Sequence, residues 1–158
     1  MTGEGGASGK RSSHLAHSAM RGKVTKEGGH AMPGCMNFLY VFLGGGLGAL
    51  GRFGVIELVK RLHPAPFPMG TLLVNVLGSL LMGVLMAWVL RDASGREPMR
   101  LLLATGVLGG FTTFSAFSWD VLDLWQRGAV VPALTYVAGS VLLSVIAVAV
   151  GFVVMGRG

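Results

Sequence analysis

The sequence predicts an all-α integral membrane protein with four transmembrane helices per subunit. Three observations predict it. Apolar residues make up 52% of the chain and charged residues only 13%, about half of the ~25% usual in soluble domains. Mean hydropathy is +0.65. Four apolar runs, at about 38–59, 69–90, 101–126 and 130–155, each reach the ~20 residues that cross a bilayer core. Backbone groups in lipid must bond internally, so the runs are read as helices of a bundle.

Residues 1–36 stand apart. They are rich in Gly, Ser, His and Lys, without apolar periodicity, and are expected to form a disordered polar tail. Residues 37–158 form the membrane domain. The tail reads as an extra or mis-started N-terminus, since Met36 alone would begin a compact membrane protein. His14, His17 and His30 are spaced too irregularly to fix a metal geometry. The single cysteine, Cys35, excludes an internal disulfide framework. Met32-Pro33-Gly34-Cys35 has a faint likeness to a lipoprotein cleavage site. Such processing is not expected, because Lys26 to Ala31 are too polar for the apolar region that signal needs.

The first run contains LYVFLGGGLGALGRFG, which spells G-x-G-x-x-G at Gly46, Gly48 and Gly51. A dinucleotide loop needs a second strand and a carboxylate about 20 residues on. Gly70-Thr71-Leu72-Leu73 stands there instead. Gly44 and Gly48 also form G-x-x-x-G, a spacing that lets membrane helices approach closely, and Gly51 and Gly54 extend that surface. Helix packing is therefore the expected role. Arg52 is the one charge within this run. It is read either as snorkelling to an interface or as attracting anions. Glu57 is expected to pair with Lys60 or Arg61 at the membrane edge.

The connection His63-Pro64-Ala65-Pro66-Phe67-Pro68 cannot continue a helix, because its prolines remove donors and fix φ. The second run then carries Thr71, Asn75 and Ser79 at i, i+4, i+8, on one helical face. The fourth run repeats that spacing with Tyr136, Ser140 and Ser144. Two polar stripes in apolar helices predict a lined path, with interhelical hydrogen bonding as the plainer reading. Asn75, an amide in an apolar run, favours the path.

The third run is the most unusual. Gly109-Gly110-Phe111-Thr112-Thr113-Phe114-Ser115-Ala116-Phe117-Ser118 sets adjacent glycines and β-branched threonines at mid-segment, a poor helix centre. A helix broken at mid-membrane is expected, with freed carbonyls able to hold a cation. Phe114 and Phe117 share a face, and phenyl edges are electropositive enough to touch a small anion. Asp120 and Asp123, beside Trp119 and Trp125, are expected at the mouth of this segment.

Charge bears on topology. Formal net charge is +6, but no dense basic face lies in the body of the chain, so nucleic-acid binding is not expected. Without the tail and Arg52, one side carries Arg91, Arg96, Arg100 and Arg157, and the other Lys60, Arg61 and Arg127. Four against three is almost no bias, so insertion in both orientations is expected. The tail's Lys10, Arg11, Arg21, Lys23 and Lys26 would favour an inside N-terminus.

From Met36 onward the chain resembles the CrcB/Fluc fluoride channels. GGGLGALGRFG, GTLLVNVLGSLLMG from Gly70, and TGVLGGFTTFSAFS from Thr105 carry the resemblance. It implies a dual-topology antiparallel homodimer with two pores, in the plasma membrane (the bacterial inner membrane), that exports fluoride passively and lowers its toxicity. No covalent chemistry is implied, so no enzyme. It implies a structural Na⁺ held by the backbone carbonyls of Gly109 and Thr112 from both subunits. It places Phe114, Phe117 and Asn75 on the fluoride path, with a polar track at Ser140 and Ser144, Tyr136 nearby, and Thr113 and Ser115 as further candidates. Thr71 and Arg52 join that set from the residue reading. The tail is an addition to the family pattern, and Phe111 replaces a frequent Leu. A proton-coupled small multidrug transporter is the competing class. It needs a membrane-embedded carboxylate, whereas Glu57, Asp120 and Asp123 lie near segment ends.

Overall fold

The computed structural model describes residues 34–91 and 96–157. Residues 1–33 of the tail, with its histidines, lie outside the described residues. Among the described residues all regular secondary structure is helical, and four helices are long and apolar enough to cross a membrane. The first, α1, is Cys35–Leu62 and the second, α2, is Met69–Arg91. The third span, Glu97–Gln126, is composite. It comprises α3 (Glu97–Arg100), a π-helical stretch (Leu101–Leu108), α4 (Gly109–Phe111) and α5 (Phe114–Gln126). The fourth is α6, Val130–Gly156. The first helix thus starts at Cys35, slightly before the expected membrane-domain boundary.

Helix ends follow local chemistry. The prolines after His63 stop α1, whose last turn closes with the His63 amide donating to the Val59 carbonyl at 2.8 Å. Gly128, at φ 73°, ends α5. The Gly128 and Ala129 amides turn back to the carbonyls of Trp125 and Leu124, each at 3.0 Å. This left-handed glycine cap reverses the chain directly into α6. At the opposite end of the bundle, the Arg96 guanidinium lies 4.2 Å from the Trp88 ring centroid. Its Nη1 also donates to the Trp88 carbonyl at 2.6 Å, tying the start of the third span to α2.

The bundle consists of two close pairs. α1 packs along the first half of the third span, and α2 along α6. Glycine makes both approaches possible. A Cβ on Gly48 would collide with the Val107 carbonyl, and one on Gly110 with the Gly45 carbonyl. Across the second pair, Gly83 meets the Val148 carbonyl and Gly151 the Leu80 carbonyl in the same way. Gly46 and Gly54 have nothing within 4 Å of a built Cβ. The G-x-G-x-x-G is therefore the interior of a continuous helix. The packing residues of this helix are Gly44 and Gly48, and Gly51 faces the Phe111 ring, which a Cβ there would meet at 3.6 Å; Gly54 does not extend that surface among the described residues.

Candidate ion pathway

The third span breaks midway, at Thr112 and Thr113. Both are extended, with φ −79°, ψ 157° and φ −152°, ψ 121°. The Thr112 amide still closes the preceding helix on the Leu108 carbonyl at 3.0 Å, and the backbone groups of Thr113 are rerouted to a side chain. The Thr113 amide donates to Asn75 Oδ1 at 2.8 Å, and Asn75 Nδ2 donates to the Thr113 carbonyl at 3.0 Å. One side-chain amide on α2 thus satisfies both backbone groups of Thr113, and the pairing fixes which way the Asn75 amide points. Thr113 Oγ1 accepts from the Ala116 amide at 3.2 Å and so caps α5. Gly78 makes room on α2, since a Cβ there would strike the Thr112 methyl group.

This rerouting acts on two particular carbonyls. In an unbroken helix the Thr113 amide would bond the Gly109 carbonyl, and the Ala116 amide the Thr112 carbonyl. Asn75 and Thr113 Oγ1 draw those donors away. The break leaves the carbonyls from Gly109 to Thr112 without their helical donors, as at any helix end, and this set includes the two residues that the resemblance marks for Na⁺. Oxygen donors freed at a helix break are the right chemistry for that ion.

A groove of about 420 Å³ opens beside the break. Asn75, Ser79, Thr112, Thr113, Ser140 and Ser144 line it with the rings of Phe114 and Phe117. It thus gathers much of the polar set expected from α2, the third span and α6. The Phe114 and Phe117 ring centroids are 5.5 Å apart. Phe114 is 78% exposed and Phe117 only 9%. Ser140 is 5% exposed, and its Oγ makes no close hydrogen bond, the Tyr136 hydroxyl being a polar neighbour in reach. It is a buried donor left over beside an open space. The groove wall carries no carboxylate.

Other expected residues lie elsewhere. Tyr136 is fully buried behind Phe117, with ring centroids 5.3 Å apart, and its hydroxyl donates to Asp120 Oδ2 at 3.1 Å. Thr71 lines a second cavity, of about 430 Å³, with Lys60, His63, Phe67, Asp120, Asp123 and Arg127. Ser115 is exposed, its Oγ 3.2 Å from Thr113 Oγ1. Gly109 is exposed at the break. Arg52 is half-buried on α1 and lines neither cavity. The carboxylates at the second cavity's end have close partners: Lys60 with Glu57 at 3.2 Å and Arg127 with Asp123 at 2.7 Å.

Sequence reasoning missed the apolar end of the groove, formed by Met82, Val141, Val145 and Val148. Apolar residues in an apolar helix carry no local signal. It also missed Asp120 as the partner of Tyr136, and Phe67, which the proline-rich connection holds against the same ring.

The CrcB-like protein family, described as Camphor Resistance (CrcB), matches residues 39–152. The chain belongs to the CrcB family. Its relatives include a fluoride-specific ion channel FluC of Paracoccus denitrificans, 53% identical over 121 residues, covering 77% of this chain and 94% of the relative. A fluoride-specific ion channel FluC 2 of Nitrobacter hamburgensis is 47% identical, covering 73% and 94%. A Methylobacterium relative of the first name is also 47% identical, covering 76% and 96%. With four spanning helices and these relatives, the CrcB chain is a multi-pass protein of the plasma membrane.

Proposed function

We propose that this CrcB chain is a fluoride-selective channel that lets cytoplasmic fluoride leave passively. The observation that carries the reading is the groove at the broken third span. It presents an orphaned buried hydroxyl, an amide side chain, the start of α5 and two phenyl rings to one space. Each is suited to a small anion. Ser140 has a hydrogen bond to give. Asn75 keeps one N–H after the Thr113 bond. The N-terminal end of α5 carries partial positive charge. Phenyl edges are weakly electropositive, which favours passage over tight binding. Fluoride enters cells as neutral HF, ionises at cytoplasmic pH and is trapped. Its exit requires only dehydration and replacement contacts, with no covalent step.

The working unit in this reading is an antiparallel homodimer of dual topology. A polar groove open on one flank is costly against lipid, and a second copy would cover it and the exposed Phe114. The Gly109 and Thr112 carbonyls would hold a structural Na⁺. Two carbonyls from one chain leave such an ion short of ligands, and a two-fold-related copy doubles them. The ion would tie the two breaks together. The multidrug-transporter reading is not favoured, because the groove lining offers no carboxylate for proton exchange.

The test is efflux from liposomes containing the purified protein. Fluoride should leave rapidly while chloride is retained. Equal chloride release, or no fluoride release, would sink the proposal. Protein purified with N-methylglucamine in place of sodium should yield fewer dimers by cross-linking; an unchanged yield would remove Na⁺ from the assembly.

A further inference from the structure

The two cavities occupy successive turns of α2. Thr71 lines one and Asn75 the other, about 6 Å apart along the axis. A row of aromatic rings stands between them. Phe117 lines the groove, and Phe67 lines the second cavity. Tyr136 sits between the two with no exposed surface. Its ring centroid is 5.3 Å from Phe117, tilted by 39°, and 5.5 Å from Phe67 at 87°.

The Tyr136 hydroxyl lies within reach of Thr71 and Ser140 as well as Asp120, and its ring is held from two sides. Phe117 supports its ring, and Asp120 takes its hydroxyl at 3.1 Å; both belong to α5. The ring's other support, Phe67, comes from the connection between α1 and α2. That connection is stiff. Pro66 and Pro68 flank Phe67 and fix their own φ angles. The Met69 amide donates to the Phe67 carbonyl at 2.8 Å, closing a tight turn. An edge-to-face ring pair also has a preferred orientation that an aliphatic contact lacks.

We infer that Phe67 is a positioning residue for ion selectivity, holding Tyr136 across the boundary between the two cavities so that only a small ion passes. The inference rests on the fluoride-channel reading. Without the Phe67 ring, Tyr136 gains space on the side of the second cavity. The boundary then widens, and a larger halide passes with fluoride.

The experiment compares fluoride and chloride release from liposomes holding the full chain or its variants. Phe67→Leu keeps an apolar side chain but has no ring, and Phe67→Tyr keeps the ring. Phe67→Leu should raise the chloride-to-fluoride release ratio on the order of ten-fold. Phe67→Tyr should retain the parent ratio. In a Tyr136→Ala background, Phe67→Leu should add no further change, because Phe67 acts through that ring. A merely structural role would lower the number of active vesicles for both ions and leave the ratio alone. A parent-like ratio in Phe67→Leu, or an equal loss in Phe67→Tyr, overturns the inference. Additive effects in the Tyr136→Ala background do so too. These outcomes leave the fluoride reading standing if the parent protein is selective. A parent protein that releases no fluoride overturns both.

Discussion

Asn75 and Ser140 line the same groove from α2 and α6, in opposite hydrogen-bonding situations. Asn75 closes two bonds on the Thr113 backbone, whereas Ser140 Oγ closes none. Their removal should therefore separate stability from transport. Asn75→Ala strands two backbone groups of a buried residue, at about 1–3 kcal/mol each. Ser140→Ala strands nothing and should cost less than about 1 kcal/mol. Both should slow fluoride efflux. Thermal unfolding in detergent and efflux from liposomes check the pair. A Ser140→Ala protein with full flux would show that the orphaned hydroxyl is not on the path. At this scale the sequence exposed which polar residues were costly in an apolar run. It concealed their partners. Asn75 and Thr113 are 38 positions apart, and no helical periodicity links residues on different helices.

The first and third spans show what glycine does at the scale of the element. Gly48 is pressed against the Val107 carbonyl and the Phe111 amide, while Gly46 faces open space. Gly48→Ala should force the helices apart and destabilise the protein by about 1–3 kcal/mol. Gly46→Ala meets no neighbour in the chain and should add up to about 1 kcal/mol of helix propensity. Unfolding temperatures measured side by side decide this. Equal destabilisation by both would mean that the contact pattern of α1 is wrong. The break at Thr112 and Thr113 was legible because adjacent glycines and β-branched residues disfavour helix locally. The π-helical stretch from Leu101 to Leu108 was not. Its widened turns have no residue signature, and they include Gly106, which meets Gly44 of α1 backbone to backbone.

For the whole molecule, the balance of charge is the informative quantity. Lys60 and Arg127 line one cavity and so share one end of the bundle, as the segment count requires. With four basic residues against three on the two sides, the charge count of the membrane domain predicts little preference for either orientation. The five basic residues of the tail are the main asymmetry. Removing residues 1–33 should leave both orientations populated. Cys35, the sole cysteine and exposed at the start of α1, reports this directly. A membrane-impermeant maleimide added to intact vesicles should label about half of the truncated protein. Labelling of all or none would indicate one fixed orientation.

The sequence by itself determined the environment, the number of spans and the place of the break. These follow from local quantities: run length and residue propensity. Tertiary structure decided which polar groups remain free. It joined Asn75 to Thr113, left Ser140 without a close hydrogen bond, withdrew the helical donors from Gly109 and Thr112, and set Phe67 against Tyr136. Hydrogen-bond satisfaction and ring contact depend on which helices touch, and at which turn. In this bundle those choices are made by close approach at a few glycines.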